Sequence, residues 1–353
     1  MNWDLVRAWR DRLAELDPSF QPTGLSPEGT REALDAALAA LDDDSLEAVA
    51  RMGGRPFPTA AVVCARTVTT APIEWCAVLA GRGSAVLLKY SARDPVLASL
   101  LVGAARDVGL PLVGVTERSA VLQADLVVAM GSDDTVQAIR GALPARVRLL
   151  PHGHRFSAAW IIEEPLPVDP RVPEGFETPW GGIAADAALH DGRGCYSPVA
   201  VFTPLPLEEA ADRLATAMEA AAARWPVGTI SPAEHAAIRA RRALARVTGL
   251  VREGDGWSVH GLPLVHLDPL ALPRSVAVYQ VDDATEAARA LAPYARWLST
   301  IGTDDSDSLG TWVSLGATRL CRPGRMQRPP LLRPHDGEDW LHDTALWVSE
   351  ELI

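Results

Sequence analysis

The sequence predicts an α/β fold of two doubly wound units, and three observations carry the prediction. From about residue 58, short Val- and Leu-rich runs alternate with helix-like stretches, as a parallel sheet covered on both faces requires. A second alternation begins near residue 181, beyond the Pro-, Gly- and acid-rich stretch EEPLPVDPRVPEGFETPWGG (163–182), a linker or an excursion between domains. At 353 residues, 48% hydrophobic and 22% charged, the chain is long enough for about two ordinary cores.

Residues 1–57 read as a helical N-terminal segment, with acids interleaved among Leu, Ala and Val at helical spacing in TREALDAALAALDDDSLEAVA. In a dinucleotide-binding domain over 58–180, AAVVCA is a strand, APIEWCAVLAG a helix closed by Gly81, and SAVLLK a strand. DPVLASLLVGAARDVG is a helix with Asp94 as N-cap and Pro95 at its first position. PLVGV, ADLVVAMGS and ARVRLLP are further strands, and SDDTVQAIRGAL is a helix between the last two. A catalytic domain over 181–325 opens with the short helix GIAADAALH and the strand PVAVF. The helices LEEAADRLATAMEAAAARW and SPAEHAAIRARRALARVTG follow, then strand candidates GWSVHG, LPLVHLD and RSVAVYQVD and the helix ATEAARALAPYARWLST. The tail, 326–353, is too Pro-rich for a helix and is expected to lie extended, packed back on the chain or on a partner subunit. With Trp340 and the apolar pair Leu331 and Leu332 it is expected to add a strand to a neighbouring subunit or to cover its own core.

The net charge of −12 and the scattered Lys and Arg argue against nucleic acid or an anionic membrane surface as partner. No apolar run approaches the roughly 20 residues of a membrane span, and the charged start MNWDLVRAWRDRLAELD is not a signal peptide, so a cytoplasmic protein is expected. Cys64, Cys76, Cys195 and Cys321 include no CxxC pair, which points to free thiols.

Cys195 stands apart. In HDGRGCYSPVAVFTP it follows Gly192 and Gly194, which let the backbone approach a substrate and let N–H groups converge on one spot. A thiol presented in this way can act as a nucleophile. The bland alternative is a small buried hydrophobe after a helix stop, the reading that suits Cys64 and Cys76 in their apolar runs.

GRGCYSPVAVFTP followed by a long amphipathic helix resembles the catalytic-cysteine segment of the aldehyde dehydrogenase superfamily. The closer resemblance is to its acyl-CoA reductase branch, the fatty-acid reductases of bacterial bioluminescence. It is carried in order by LAGRGSAVLLKYSARDP, VVAMGSDDTVQAIR, LLPHGHRFSAAW, AADAALHDGRGCYSP and GATRLCRPGRMQRPPLLRPHDG, over roughly residues 58–340. The resemblance implies an aldehyde dehydrogenase-like fold and reduction of acyl-CoA to a fatty aldehyde through a thioester on Cys195. It also implies that Lys89 and Ser91 hold the adenosine ribose or its 2′-phosphate and that Gly131 and Ser132 contact the pyrophosphate. Arg93 lies near enough in sequence to help with a 2′-phosphate, which favours NADPH over NADH. Read alone, GSDDT is a capped helix start, and its Asp133 and Asp134 repel a phosphate unless turned aside.

Departures from the superfamily bear on the chemistry. PHGHRFS stands where the oxidising enzymes carry a water-activating glutamate, so a thioester should survive to be reduced. His154 and His190 are the candidate proton donors. His152 and His154 are two potential ligands with no evident third, so no metal is expected. The oxyanion-hole asparagine is missing from CARTVTTAPIEW, leaving Arg66, Thr67, Thr69 or the Cys195 N–H in its place. The alternatives are therefore a degenerate scaffold that binds a partner acyltransferase or synthetase, and an NAD(P)-dependent aldehyde dehydrogenase. The superfamily also implies a homo-oligomer.

Overall fold

The computed structural model describes residues 1–16, 24–64, 68–91 and 96–347, which fall into two compact units. The described parts of Met1–Thr23, Ala33–His154 and Pro330–Ile353 make up the first, and Gly24–Glu32 with Arg155–Pro329 the second. Residues 155–180, grouped with the cofactor domain on sequence grounds, cluster with the second unit because a strand of that unit's sheet begins at Phe156.

In the first unit β1 (Arg55–Pro56) is a two-residue strand. It precedes β2 (Thr59–Val63), β3 (Ala85–Lys89), β4 (Leu112–Val115), β5 (Leu126–Met130) and β6 (Arg148–His152). These last five form one parallel sheet in the order β4-β3-β2-β5-β6. Chain direction across the sheet reverses between β2 and β5, so ligands are expected beyond the carboxyl ends of those strands. β5 is buried along its whole length, which explains why LVVAM shows no alternation. Asp125 ties the amino ends together: its Oδ2 accepts from the Thr59 N–H at 3.0 Å and the Thr59 hydroxyl at 2.8 Å.

The three N-terminal helices, Trp3–Ala14, Pro27–Ala39 and Asp43–Met52, appear where acids and aliphatics alternate at helical spacing. Trp3, Val6, Trp9 and Leu13 form the buried stripe of the first, and the Trp9 indole donates to the Leu101 carbonyl at 3.0 Å. Gly81 does not close its helix. The helix Pro72–Arg82 runs on to Gly83, which caps it at φ 112°. Gly81 lies against the Trp3 ring, where an added Cβ would stand 2.4 Å from the nearest ring carbon. The expected cap at Asp94 and Pro95 lies outside the described residues; that helix is described over Val96–Val108.

The second unit holds β7 (Phe156–Trp160), β8 (Pro198–Thr203), β9 (Leu250–Gly254), β10 (Trp257–Gly261), β11 (Ser275–Gln280), β12 (Leu298–Thr303) and β13 (Arg319–Cys321). Their order is β13-β12-β7-β8-β11-β10-β9, parallel except for β9, which runs antiparallel to β10. Four strands, β7, β9, β12 and β13, are not among those the sequence predicts. FSAAW is β7, and the helix expected over 284–300 stops at Leu291, beyond which a tighter turn containing Pro293 leads into β12. LPLVHLD is a short 3-10 turn after Pro263 and not a strand.

In the tail, Leu331, Trp340 and Leu341 are buried in the first unit's own core. A short helix, Trp340–Asp343, precedes β14 (Ala345–Leu346), which pairs antiparallel with β1. The tail thus covers its own unit and is only partly extended. Among the described residues no helix is long and apolar enough to cross a membrane.

Candidate functional site

Each unit carries one group of the expected residues. In the first unit Lys89 is the last residue of β3, paired with Val63 on one side and Val115 on the other. Its ammonium donates to the Tyr90 carbonyl at 2.9 Å, and Ser91 beyond it is exposed. Gly131 and Ser132 follow β5 at the same edge of the sheet. Ser132 is the N-cap of the helix Asp133–Ala142, its hydroxyl accepting from the Thr135 N–H at 3.3 Å. The Asp133 carboxylate accepts from the His154 backbone N–H at 2.7 Å, which turns that charge toward the 153–154 backbone. The helix N-terminus is thereby relieved of the nearer of its two acids. The carboxyl edge thus carries Lys89 at the end of β3 and Gly131 and Ser132 beyond β5, with β2 between the two strands. His154 lies beside Asp133 with its side chain exposed. Arg93, Arg66 and Thr67 lie outside the described residues; Thr69 is half-buried just ahead of the helix Pro72–Arg82.

In the second unit the helix Pro179–Ala188 leads to Cys195. Thr178 caps it, accepting from the Gly181 N–H at 3.1 Å, and Pro179 opens it. It is buried on every side, including Asp186. At Gly182 it touches the 323–324 backbone, where an added Cβ would lie 2.5 Å from the Pro323 carbonyl carbon.

The chain then makes three consecutive left-handed residues, His190 (φ 56°), Asp191 (φ 52°) and Gly192 (φ 71°). Such a run costs about 1–2 kcal/mol at each non-glycine position and needs compensation. Asp191 supplies it. Its Oδ1 meets the Arg274 guanidinium at 2.7 Å, and both side chains are 1% exposed. Its Oδ2 accepts from Arg193 and from the Gly228 N–H, each at 3.1 Å, and its carbonyl accepts from the Arg274 N–H at 3.1 Å. Arg193 also reaches Glu234 at 2.8 Å. His190 is buried, and burial, assisted by Arg328, pushes its pKa down to about 4, so at neutral pH it is an uncharged imidazole.

Cys195 is half-buried in the turn just ahead of β8. Its carbonyl accepts from the Ser157 hydroxyl of β7 at 2.7 Å, and the same oxygen of Ser157 accepts from the Thr300 N–H of β12 at 3.2 Å. One side chain thereby ties the turn that carries Cys195 to β7 and β12. On the other flank the Gln327 amide donates to the Ser197 hydroxyl. It also presses on Gly194, where an added Cβ would stand 2.8 Å from Nε2. Gln327 is in turn held by Asp186, whose carboxylate accepts from the N–H groups of Gly324 (2.7 Å), Met326 (3.2 Å) and Gln327 (3.2 Å). Burial raises the Asp186 carboxyl to about 6 in spite of these donors and Arg328. Tyr196 lies under Arg319, whose guanidinium carbon is 5.3 Å from the ring centre.

The other thiols are held in their protonated form. Burial pushes Cys64 up to about 12, Cys321 to about 11 and Cys76 well above its ordinary value, so all three stay protonated at neutral pH. Sequence reasoning did not find Asp186, Asp191, Ser157, Arg274 or Gln327. For Asp186 a signal existed, a lone acid inside the otherwise apolar AADAAL; Arg274 and Gln327 are remote in sequence and left none.

Residues 114–347 match the protein family described as acyl-CoA reductase (LuxC). No curated protein matches the chain. Several solved structures share its fold. PnpE from Pseudomonas sp. WBC-3 superposes with a TM-score of 0.70 at 13% identity, over 91% of this chain and 77% of that one. An NAD-dependent benzaldehyde dehydrogenase from Corynebacterium glutamicum gives 0.67 at 14% identity, over 97% and 80%. An NADP-dependent glyceraldehyde-3-phosphate dehydrogenase from Bacillus halodurans C-125, solved with NADP, gives 0.64 at 16% identity, over 91% and 77%. The fold is that of the aldehyde dehydrogenases, as the sequence predicts.

Proposed function

Because this chain belongs to the acyl-CoA reductase (LuxC) family, a family of oxidoreductases acting on acyl groups or aldehydes, we propose that it reduces acyl-CoA to aldehyde, carrying the acyl group on Cys195. The observation that supports this reading best is the Cys195 turn, braced by Ser157 on one side and Gln327 on the other. Bracing of this kind fixes the backbone from which the thiol projects, which lowers the entropic cost of reaction. The thiol loses its proton, its sulfur adds to the thioester carbonyl carbon, and the bond from that carbon to the coenzyme A sulfur breaks. Coenzyme A leaves as a thiol with the proton, and the acyl group stays on Cys195.

Lys89 and Ser91 would hold the ribose or its 2′-phosphate, with Arg93 assisting, and Gly131 and Ser132 the pyrophosphate. The residues described at this edge fit a dinucleotide, since the helix capped by Ser132 presents its N–H groups with the Asp133 carboxylate drawn aside. A bound NADPH supplies the hydride that, with one proton, converts the acyl-enzyme to aldehyde and free thiol. Of the two candidate proton donors, His190 lies in the same unit as Cys195 and is held as a neutral imidazole by burial.

The test is intact-protein mass spectrometry after mixing the chain with a panel of acyl-CoA thioesters, with Cys195→Ala as control. An acyl adduct that depends on Cys195 and is discharged as aldehyde by NADPH is expected. Failure of every acyl-CoA to add mass to the folded protein would refute the reading.

A further inference from the structure

The motif His335-Asp336-Gly337 takes no part in the acyl chemistry above, and in the first unit it meets the end of β6. Asp336 and Gly337 have φ values of 53° and 86°, and His335 bridges to Glu338 across this tight turn. The turn brings one carboxylate oxygen, Asp336 Oδ2, to 3.1 Å from His152 Nδ1 and 3.3 Å from His335 Nδ1. The two imidazole centres are 4.3 Å apart, and ligand atoms of the three residues all lie within 4.8 Å of one another. The third ligand that the sequence did not offer beside His152 is thus supplied by the tail.

The chemistry of this donor set is specific. Nitrogen and oxygen ligands about 2.0–2.1 Å from a tetrahedral ion stand about 3.3 Å from one another, close to the two separations found here. Side-chain exposures of 11%, 10% and 9% for His152, His335 and Asp336 place the donors out of bulk water. Asp336 Oδ1 and His152 Nε2 are buried with no hydrogen-bond partner, although a buried carboxylate oxygen is costly to leave unpaired. A cation held by both oxygens of the Asp336 carboxylate satisfies Oδ1 as well as Oδ2, the oxygen that faces the two Nδ1 atoms. Behind the cluster Glu74 forks onto Arg333 at 2.8 and 2.9 Å, so its charge is already balanced, and its Oε1 stands 3.6 Å from His335 Nε2. A carboxylate behind a histidine in this way orients the ring when the other nitrogen ligates a metal. Trp75, 5.0 Å and 5.4 Å from the two imidazole centres, and Trp340 supply the apolar surround.

We propose that His152, His335 and Asp336 bind one divalent transition-metal ion of the zinc type, fastening the tail turn to the carboxyl end of β6. Two imidazoles and a carboxylate suit zinc, cobalt or nickel; calcium and magnesium prefer all-oxygen sites. The site is structural in character and stands whether or not Cys195 carries acyl groups.

The test uses the full chain without an affinity tag, stripped with a chelator and titrated with Co2+. Visible absorption of tetrahedral cobalt and the unfolding temperature are the readouts. One Co2+ per chain, with intense visible bands and a raised Tm, is expected. His335→Ala and the shape-conserving Asp336→Asn should each weaken binding by about 100-fold or more, beyond the 10–100-fold that outer partners command. His154→Ala should bind as the parent does. Circular dichroism of the stripped variants separates loss of the site from loss of the fold. No stoichiometric uptake by the parent, or uptake unchanged in Asp336→Asn, overturns the proposal.

Discussion

His190 gives stability a pH dependence that can be isolated. Burial and Arg328 hold its folded pKa at about 4, against 6.5 for the free side chain. Between these values the unfolded chain binds a proton that the folded chain refuses. Stability therefore rises with pH across the interval, by up to about 1.4 kcal/mol per unit. Integrated over the interval, the fold loses about 3 kcal/mol as pH falls from 6.5 through 4. Above 6.5 the contribution is complete and flat. The perturbation is His190→Asn, because asparagine tolerates the left-handed backbone of φ 56° and does not titrate. Urea unfolding of both proteins at half-unit steps from pH 7.5 to 4 gives the difference in stability at each pH, from which the carboxylates common to both cancel. The difference should be constant above pH 6.5 and shrink below it by about 3 kcal/mol in favour of the variant. Parallel curves would refute the claim that His190 is buried and neutral.

Other expectations follow from the same unit. Asp191→Asn keeps the backbone conformation but leaves buried Arg274 without its counter-charge, so a loss of about 3–5 kcal/mol in urea unfolding is expected. Gly194→Ala places a methyl 2.8 Å from Gln327 Nε2; acylation of Cys195 by acyl-CoA, followed by mass, should slow by about 10-fold or more while circular dichroism stays native. Gly182→Ala meets the 323–324 backbone, which has no flexible end to yield, and should destabilise by about 1–3 kcal/mol in thermal unfolding.

Much of the architecture is legible in the sequence, because a doubly wound sheet buries continuous aliphatic strands between periodic helices. AAVVCA, SAVLLK and ADLVVAMGS become β2, β3 and β5 for this reason. What escaped detection was short or composed of small residues. FSAAW is one strand's worth of Ala and Ser between two aromatics, and LSTIGT follows a helix-like pattern whose one breaker, Pro293, lies several residues before the strand. Of the candidate site, the glycines around Cys195 announce a turn, and GSDDT announces the capped helix whose first acid is drawn to His154. The supports of the cysteine are invisible because they are conveyed by tertiary contact. Asp186 acts on Ser197 and Gly194 only through Gln327, a residue 141 positions further along the chain.

That distance has a consequence for the order in which the molecule becomes competent. Synthesis proceeds from the amino end, so Cys195 is made long before the segment around Gln327 that presses on its turn. On a growing chain the left-handed run at 190–192 also waits for Arg274, the buried counter-charge of Asp191. The turn that carries Cys195 therefore gains its supports late, when little of the second unit is left to translate.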